Sequence, residues 1–328
     1  MAPRRNIAED ADIDALVGTS INTFRRLDRQ SQIAVLVLIG LLAVVAAVFY
    51  FNSHRLGAPG TASTPNLLLG NPSAASADPL NRNDYLMVKP YFVLSYNSDK
   101  GIPNWVSWQV TADDLGNAPR KQVFDSDLAL PVTFKVVNTR DYAGSGFDRG
   151  HMCPHSDRAA NQDMSYSTFV MTNIIPQAPN VNQKAWAQLE SYSRELARKG
   201  DHLYVVSGPL GEGGTGKRGF KESLAGGKIV VPAECWKIVV VVEPGFSDDL
   251  TAISMGTRVI AVDMPNDQQQ VGEEWAKYRT SPAIIEQKTG FHFFTSVRAD
   301  IAAALRQHVD DVFIPAPKPM THGNQTGY

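Results

Sequence analysis

Cysteine is nearly absent. The 328 residues contain two, Cys153 and Cys235. Two thiols exclude a disulfide framework and a cysteine-built zinc centre. They can form one bridge or stay free, and sequence spacing does not choose between these, because pairing depends on how close the two Cα atoms come. An excess of one charge is absent as well. Lys and Arg total 31 against 33 Asp and Glu, a formal net charge of −2. The chain therefore has no general positive coat, and any polyanion it handles must be held by a local basic groove. No internal repeat is visible, which excludes a solenoid or propeller. With 43% hydrophobic and 20% charged residues, the chain can build a core, so disorder throughout is excluded. Its length allows one large domain or two ordinary ones.

Long apolar runs are rare, and one stands out. Ile33 to Phe51 carries no charge and is long enough to cross about 30 Å of hydrocarbon as a helix. A core helix would keep a polar face. A signal peptide would start nearer the N-terminus. The run is read as one transmembrane helix. Arg25, Arg26 and Arg29 precede it and Arg55 follows it, so the positive-inside rule leaves the N-terminus in the cytoplasm. The remainder then lies outside the cytoplasm: periplasmic, extracellular, or at the mitochondrial inner membrane in a eukaryote.

This divides the chain into a cytoplasmic segment (1–32), the span (33–51), a flexible Gly-, Ser- and Pro-rich linker (52–84), one folded domain (85–314) and a disordered tail (315–328). Strands are expected at Tyr91–Tyr96, Trp105–Thr111, Val132–Val137, Phe169–Thr172, Leu203–Ser207, Ile229–Val231, Trp236–Val242 and Ala252–Ser254. Trp186, Leu189, Tyr192 and Leu196 recur at helical spacing, which predicts a helix over Val181–Lys199 ending at Gly200, and Val297–His308 predicts another. This order of strands and helices favours an α+β fold.

Two segments carry the chemistry. Asp148-Arg149-Gly150-His151 follows the turn Gly144-Ser145-Gly146 and is expected on an irregular stretch. Histidine can take a proton from water near neutral pH. Arginine offers a fork of donors that matches phosphate oxygens. A surface salt bridge at a turn would use the same residue types. The second segment, residues 172–190, reads TNIIPQAPNVNQKAWAQLE. Asn180 or Asn182 could simply cap the helix. Glu190, however, lies eight residues beyond Asn182, about two turns along one helical face. An amide oxygen and a carboxylate so placed can hold a hydrated magnesium ion, which prefers hard oxygen ligands and keeps its waters.

At these segments the chain resembles the DNA/RNA non-specific endonucleases of the ββα-metal (His-Me finger) class. DRGH, N-I-x-P-Q and N-Q-x-x-W-x-x-L-E occur in that family's order, and the likeness runs from about Asp84 to about Phe294, through IEQKTGFHFF. The resemblance implies a central antiparallel sheet and hydrolysis of DNA and RNA with little sequence preference, leaving 5′-phosphates. It implies His151 as general base, Asn182 as the direct metal ligand and Glu190 as the residue ordering metal-bound waters. Arg149 and, in APRKQVF, Arg120 would meet the phosphate, and Asn173 would support the histidine and the metal waters. Arg194 would face the same site. The implied ion is Mg2+, with Mn2+ as the alternative. Members are often dimers, which opens a homodimer as an option.

Other patterns in the chain suggest different chemistry. His151 and His155 are spaced like a zinc pair, but Pro154 interrupts any helix between them. Cys153 beside His151 fits a buried thiol better than a nucleophile. Gly211–Lys217 approaches a phosphate-binding loop, yet Arg218 stands where Ser or Thr is needed. Lys217, Arg218 and Lys221 can still meet a nucleic-acid backbone electrostatically. The alternative function is a surface nucleic-acid-binding protein that has lost catalysis. A third is an interaction protein whose domain only docks a partner.

Overall fold

The computed structural model describes residues 28–36, 64–244 and 249–314. The chain divides into two units, Met1–Ala62 and Ser63–Tyr328. In the first, residues 29–36 are helical. Residues 37–51 of the expected span lie outside the described residues, as does the expected tail. Among the described residues no helix is long and apolar enough to cross a membrane.

The second unit is α+β. Its seven-stranded sheet runs β1 (Tyr85–Val88), β2 (Val93–Asn97), β3 (Ile102–Val110), β6 (His202–Leu210), β11 (Glu234–Val242), β12 (Arg258–Pro265) and β13 (Arg279–Thr280). Every neighbouring pair in it is antiparallel. Outside it, β7 (Gly214–Gly216) pairs with β8 (Gly219–Lys221), and β9 (Ser223–Leu224) with β10 (Ile229–Val230). Central strands such as β11 are buried throughout, with both faces covered, so they read as continuous apolar runs. Alternate residues still serve different cores, because successive side chains leave a strand on opposite faces. Cys235, Val239 and Val241 join one core with Trp108, Trp186 and Leu189. Trp236, Ile238 and Val240 join a second with Phe293, Ile301 and Leu305.

The first core carries the candidate site. Two short strands, β4 (Asp148–His151) and β5 (Ile174–Gln177), pair antiparallel, with Gly150 opposite Ile175 and His151 opposite Ile174. Between them lies the short helix α1 (Gln162–Ser167). A π-helical turn, Val181–Trp186, then leads into α2 (Ala187–Arg198). The second face is covered by α3 (Pro282–Thr289) and α4 (Ala299–Gln307).

Several expectations are corrected. DRGH is not irregular: it forms β4. Val132–Val137 is loop rather than strand, entered by Pro131, with Val132 fully exposed. It has the β-branched composition of a strand, yet its backbone pairs with no strand; Phe134 instead packs its ring edge-on against Tyr85 of β1, 5.1 Å between centroids. Phe169–Thr172 makes one isolated bridge, Asp125 to Val170, and then a 3-10 turn from Met171. Ala252 ends another 3-10 turn, Leu250–Ala252, and Ile253–Ser254 is not strand. Residues 64–84, expected as linker, pack onto the sheet. Asn66 is buried and its carbonyl accepts from Ser107 Oγ at 2.6 Å, while Trp105 Nε1 donates to Ser73 Oγ at 2.8 Å. Composition hid this, because small polar residues reach backbone groups as readily as they fill a tether. Cys153 and Cys235 are both buried and unbonded to each other.

Asn266 pins the site-bearing hairpin to the sheet. It is fully buried; its Oδ1 accepts from the Ala178 amide at 2.7 Å, and its Nδ2 donates to the carbonyls of Pro176 and Pro232 at 3.0 and 2.8 Å. Removing it orphans three buried backbone groups, each costing about 1–3 kcal/mol. Asn266→Ala should therefore destabilise the protein by roughly 3 kcal/mol in urea unfolding. A loss under about 1 kcal/mol would show that water replaces the clasp.

Candidate active site

β4 presents its residues to two sides. Asp148 and Gly150 face the helix and β5; Arg149 and His151 face an aromatic wall. Gly150 is required by space: a Cβ there would lie 2.3 Å from Gln177 Oε1 and 2.7 Å from Gln177 Cβ. Gly146, just upstream, has φ +88, and a Cβ would meet the Arg218 amide nitrogen at 2.7 Å. The glycines thus let the strand and its entry turn pack closely against their neighbours.

His151 is 8% exposed, and its Nε2 is buried without a hydrogen-bond partner. Its ring meets Phe169 edge-on at 4.8 Å between centroids and Phe124 at 5.2 Å. Burial holds its pKa well below the usual imidazole range, and the positive charges of Arg120 and His155 push it the same way. His155 is held down to about 4, again first by burial. Arg120 stacks over Phe169 at 5.2 Å, and Arg149 over Phe124 at 5.0 Å. The Arg120 charge is also felt alongside Glu190 and Arg149. His151, Arg149, Arg120 and Glu190 therefore share one electrostatic neighbourhood, although they come from a loop, a strand and a helix.

Asn182 joins this group through Asp148. The Asp148 Oδ2 accepts from Asn182 Nδ2 and from Gln183 Nε2, each at 2.8 Å. A carboxylate only accepts, so Asn182 must offer its amino end here, which leaves its carbonyl oxygen Oδ1 available to a cation. Neither Asn180 nor Asn182 acts as a side-chain cap; Asn180 bonds instead to Gln268. A π-helical turn at this point is a frequent companion of functional sites.

Asn173 sits behind the histidine. It is fully buried, accepts from the Cys153 amide at 3.0 Å, and donates to the carbonyls of Cys153 and Thr168 at 2.8 and 2.9 Å. Its amide is spent on the backbone that follows His151. It supports the histidine through that backbone, and no hydrogen-bonding capacity of its Nδ2 is left over for metal waters. Arg194 pairs with Asp157 at 3.0 Å, and Asp157 also accepts from Trp108 Nε1 at 3.0 Å.

Sequence reasoning missed Lys237. It is 2% exposed on β11, with its Nζ 3.1 Å from Glu190 Oε1 and 4.2 Å from the centre of the Trp186 ring. Burial pushes the Glu190 carboxyl upward; Lys237 and Arg194 pull it back. A single lysine inside the run CWKIVVVV was the available signal, since a buried cation needs a partner. Among the described residues no three His, Cys, Asp or Glu side chains converge to hold a metal ion. A cation here would rest on the Asn182 oxygen and water, a mode that suits a hard, well-hydrated ion and not a tetrahedral zinc cage.

The family model described as DNA/RNA non-specific endonuclease matches residues 69–300. The chain belongs to that family. It is a nuclease, a hydrolase of nucleic acids. A nuclease of Nostoc sp. is 42% identical over 247 residues, covering 75% of this chain and 86% of that one. Human mitochondrial endonuclease G is 33% identical over 214 residues, covering 63% and 69%. A crystal structure of the EndoG/EndoGI complex matches with a TM-score of 0.58 at 22% identity, over 73% of this nuclease and 95% of that chain. That last likeness concerns the fold, and it agrees with the antiparallel sheet and the β4–β5–helix unit.

Should His151 serve as a general base, it must be unprotonated to act. Because the folded-state pKa of His151 is depressed, the neutral ring persists below the ordinary value of about 6.5. The acid limb of kcat/KM for the nuclease should thus fall below pH ~6.5, with activity lost as pH drops through the depressed value. A limb at or above that pH in a pH–rate profile would contradict the burial of the ring.

Proposed function

We propose that this chain is a divalent-cation-dependent endonuclease that cuts DNA and RNA with little sequence preference and leaves 5′-phosphates, using His151 as general base. The observation that supports it most is the buried His151 ring with an unpartnered Nε2, on a strand bonded through Asp148 to Asn182. In this reading Nε2 accepts a proton from the water that attacks phosphorus. The aromatic wall of Phe124 and Phe169 keeps the ring dry, neutral and fixed in direction. Arg149 and Arg120 lay their planar forks against phosphate oxygens and oppose the negative charge that builds there. Asn182 Oδ1 would hold the cation, Mg2+ or Mn2+, and Glu190, steadied by Lys237, would orient its waters. Such an ion supplies Lewis-acid stabilisation of the charge developing at the scissile phosphate. Base edges take no part in these contacts, which accounts for the lack of sequence preference.

The apolar run Ile33–Phe51 supports a tether, with the enzyme held outside the cytoplasm. Assembly as a homodimer belongs to the same proposal and rests on the family likeness alone. The competing reading, a binding protein without catalysis, would tolerate loss of His151. The complete set of His151, Asn182 and Glu190 favours the enzyme.

The test is degradation of plasmid DNA and of RNA by the full chain. Chelation with EDTA should abolish cleavage, and added Mg2+ or Mn2+ should restore it. His151→Ala should lower kcat on the order of 10²–10⁴-fold. Cleavage that persists in EDTA, or a His151→Ala protein as fast as the parent, would overturn the assignment.

A further inference from the structure

A cavity of about 440 Å³ lies beside the entry to β4, lined by Arg140, Asp141, Gly144, Lys221 and Ser223 among others. None of these residues belongs to the catalytic set. The cavity is nevertheless wired to it. Thr139, next to Arg140, accepts from Arg149 Nη1 at 2.7 Å. The Lys217 amide donates to the Gly146 carbonyl at 2.9 Å, and Arg218 Nη1 donates to the Gly144 carbonyl at 2.9 Å. Gly144 and Ser145 line the cavity and stand just upstream of Asp148, so its wall leads into β4.

Its charge is one-sided. Arg140 and Lys221 line it, Arg218 reaches it through the Gly144 carbonyl, and Lys217 precedes Arg218; among the described residues none of the four forms an ion pair. The one lining carboxylate, Asp141, is already neutralised by Lys228 at 2.6 Å. Arg140, Lys217 and Arg218 are exposed. Cations gathered without counter-charges repel one another, a cost that an anion would relieve. The chain as a whole carries a net charge of −2, so attraction of a polyanion must come from such a local cluster.

We propose that this cavity is a subsite for backbone phosphates of the nucleic acid beyond the scissile bond, with Arg140 and Lys221 as its principal cations. The proposal rests on the nuclease reading for the identity of the polyanion. The subsite reads no bases; it adds affinity for long strands and aligns them along β4.

Binding is measured by fluorescence anisotropy in EDTA, so that the readout does not depend on cleavage. The probes are a long fluorescein-labelled DNA duplex and a labelled tetranucleotide. The full-length Arg140→Ala/Lys221→Ala protein should bind the long duplex on the order of tenfold more weakly at moderate salt, and its log–log salt slope should shrink by about 2, since each lost phosphate contact removes roughly 0.9. Tetranucleotide affinity should change far less. The charge reversal Arg140→Glu/Lys221→Glu should deepen the loss for the duplex. An unchanged duplex affinity and salt slope in both variants overturns the subsite, as does an equal loss for both probes with a lowered melting temperature. Failure of the nuclease reading appears separately, as absence of cleavage by the parent protein with Mg2+.

Discussion

One carboxylate joins the two halves of the site. Asp148, at the start of β4, accepts from Asn182 and Gln183 at the start of the helical segment, each at 2.8 Å. Charge-assisted bonds of this kind are short and directional. Here they set the rotation of the Asn182 amide, because a carboxylate admits only its donor end. Three residues further along the same strand stands His151. The separation between the His151 imidazole and the amide oxygen is therefore set by a strand, not by a loop, and the strand is itself paired to β5 over its whole length. What surrounds this unit serves to keep it still. Asn266 clasps the exit of β5, Asn173 clasps the backbone after His151, and Gly150 lets β4 lie against Gln177.

Charge is managed locally throughout. The nuclease is weakly acidic overall, yet its site collects Arg120, Arg149, Arg194 and Lys237. Two of these are neutralised internally: Arg194 by Asp157 and Lys237 by Glu190. The other two, Arg120 and Arg149, lie over the aromatic rings of Phe169 and Phe124. The buried Lys237–Glu190 pair is expensive to desolvate and adds little net stability, so its value lies in fixing the carboxylate.

The sequence revealed the chemistry more readily than the architecture. The helix from Val181 was legible because Trp186, Leu189 and Leu196 repeat with helical period, and the structure buries all three. The strand character of DRGH was not legible: four residues containing a glycine and three polar side chains show no alternation of apolar and polar positions. Val132–Val137 failed for the opposite reason: it offers β-branched residues, but it meets the sheet through side chains such as Phe134 on Tyr85 and makes no strand pairing. β12 escaped although Arg258–Pro265 is a core strand, since Arg258 and Asp263 confine its first apolar run to Val259–Val262. Lys237 and Asp157 escaped because partners 47 and 37 residues away, Glu190 and Arg194, make them meaningful. Such pairs exist only once the sheet has formed.

The claim that Asp148 aims the Asn182 oxygen at a cation is best tested by Mn2+ binding to the full chain, followed by electron paramagnetic resonance. Asp148→Asn keeps the shape of the side chain but lets the Asn182 amide turn. It should weaken Mn2+ binding by about 10- to 100-fold with an unaltered melting temperature. An Asp148→Asn protein that binds Mn2+ as tightly as the parent would contradict the account.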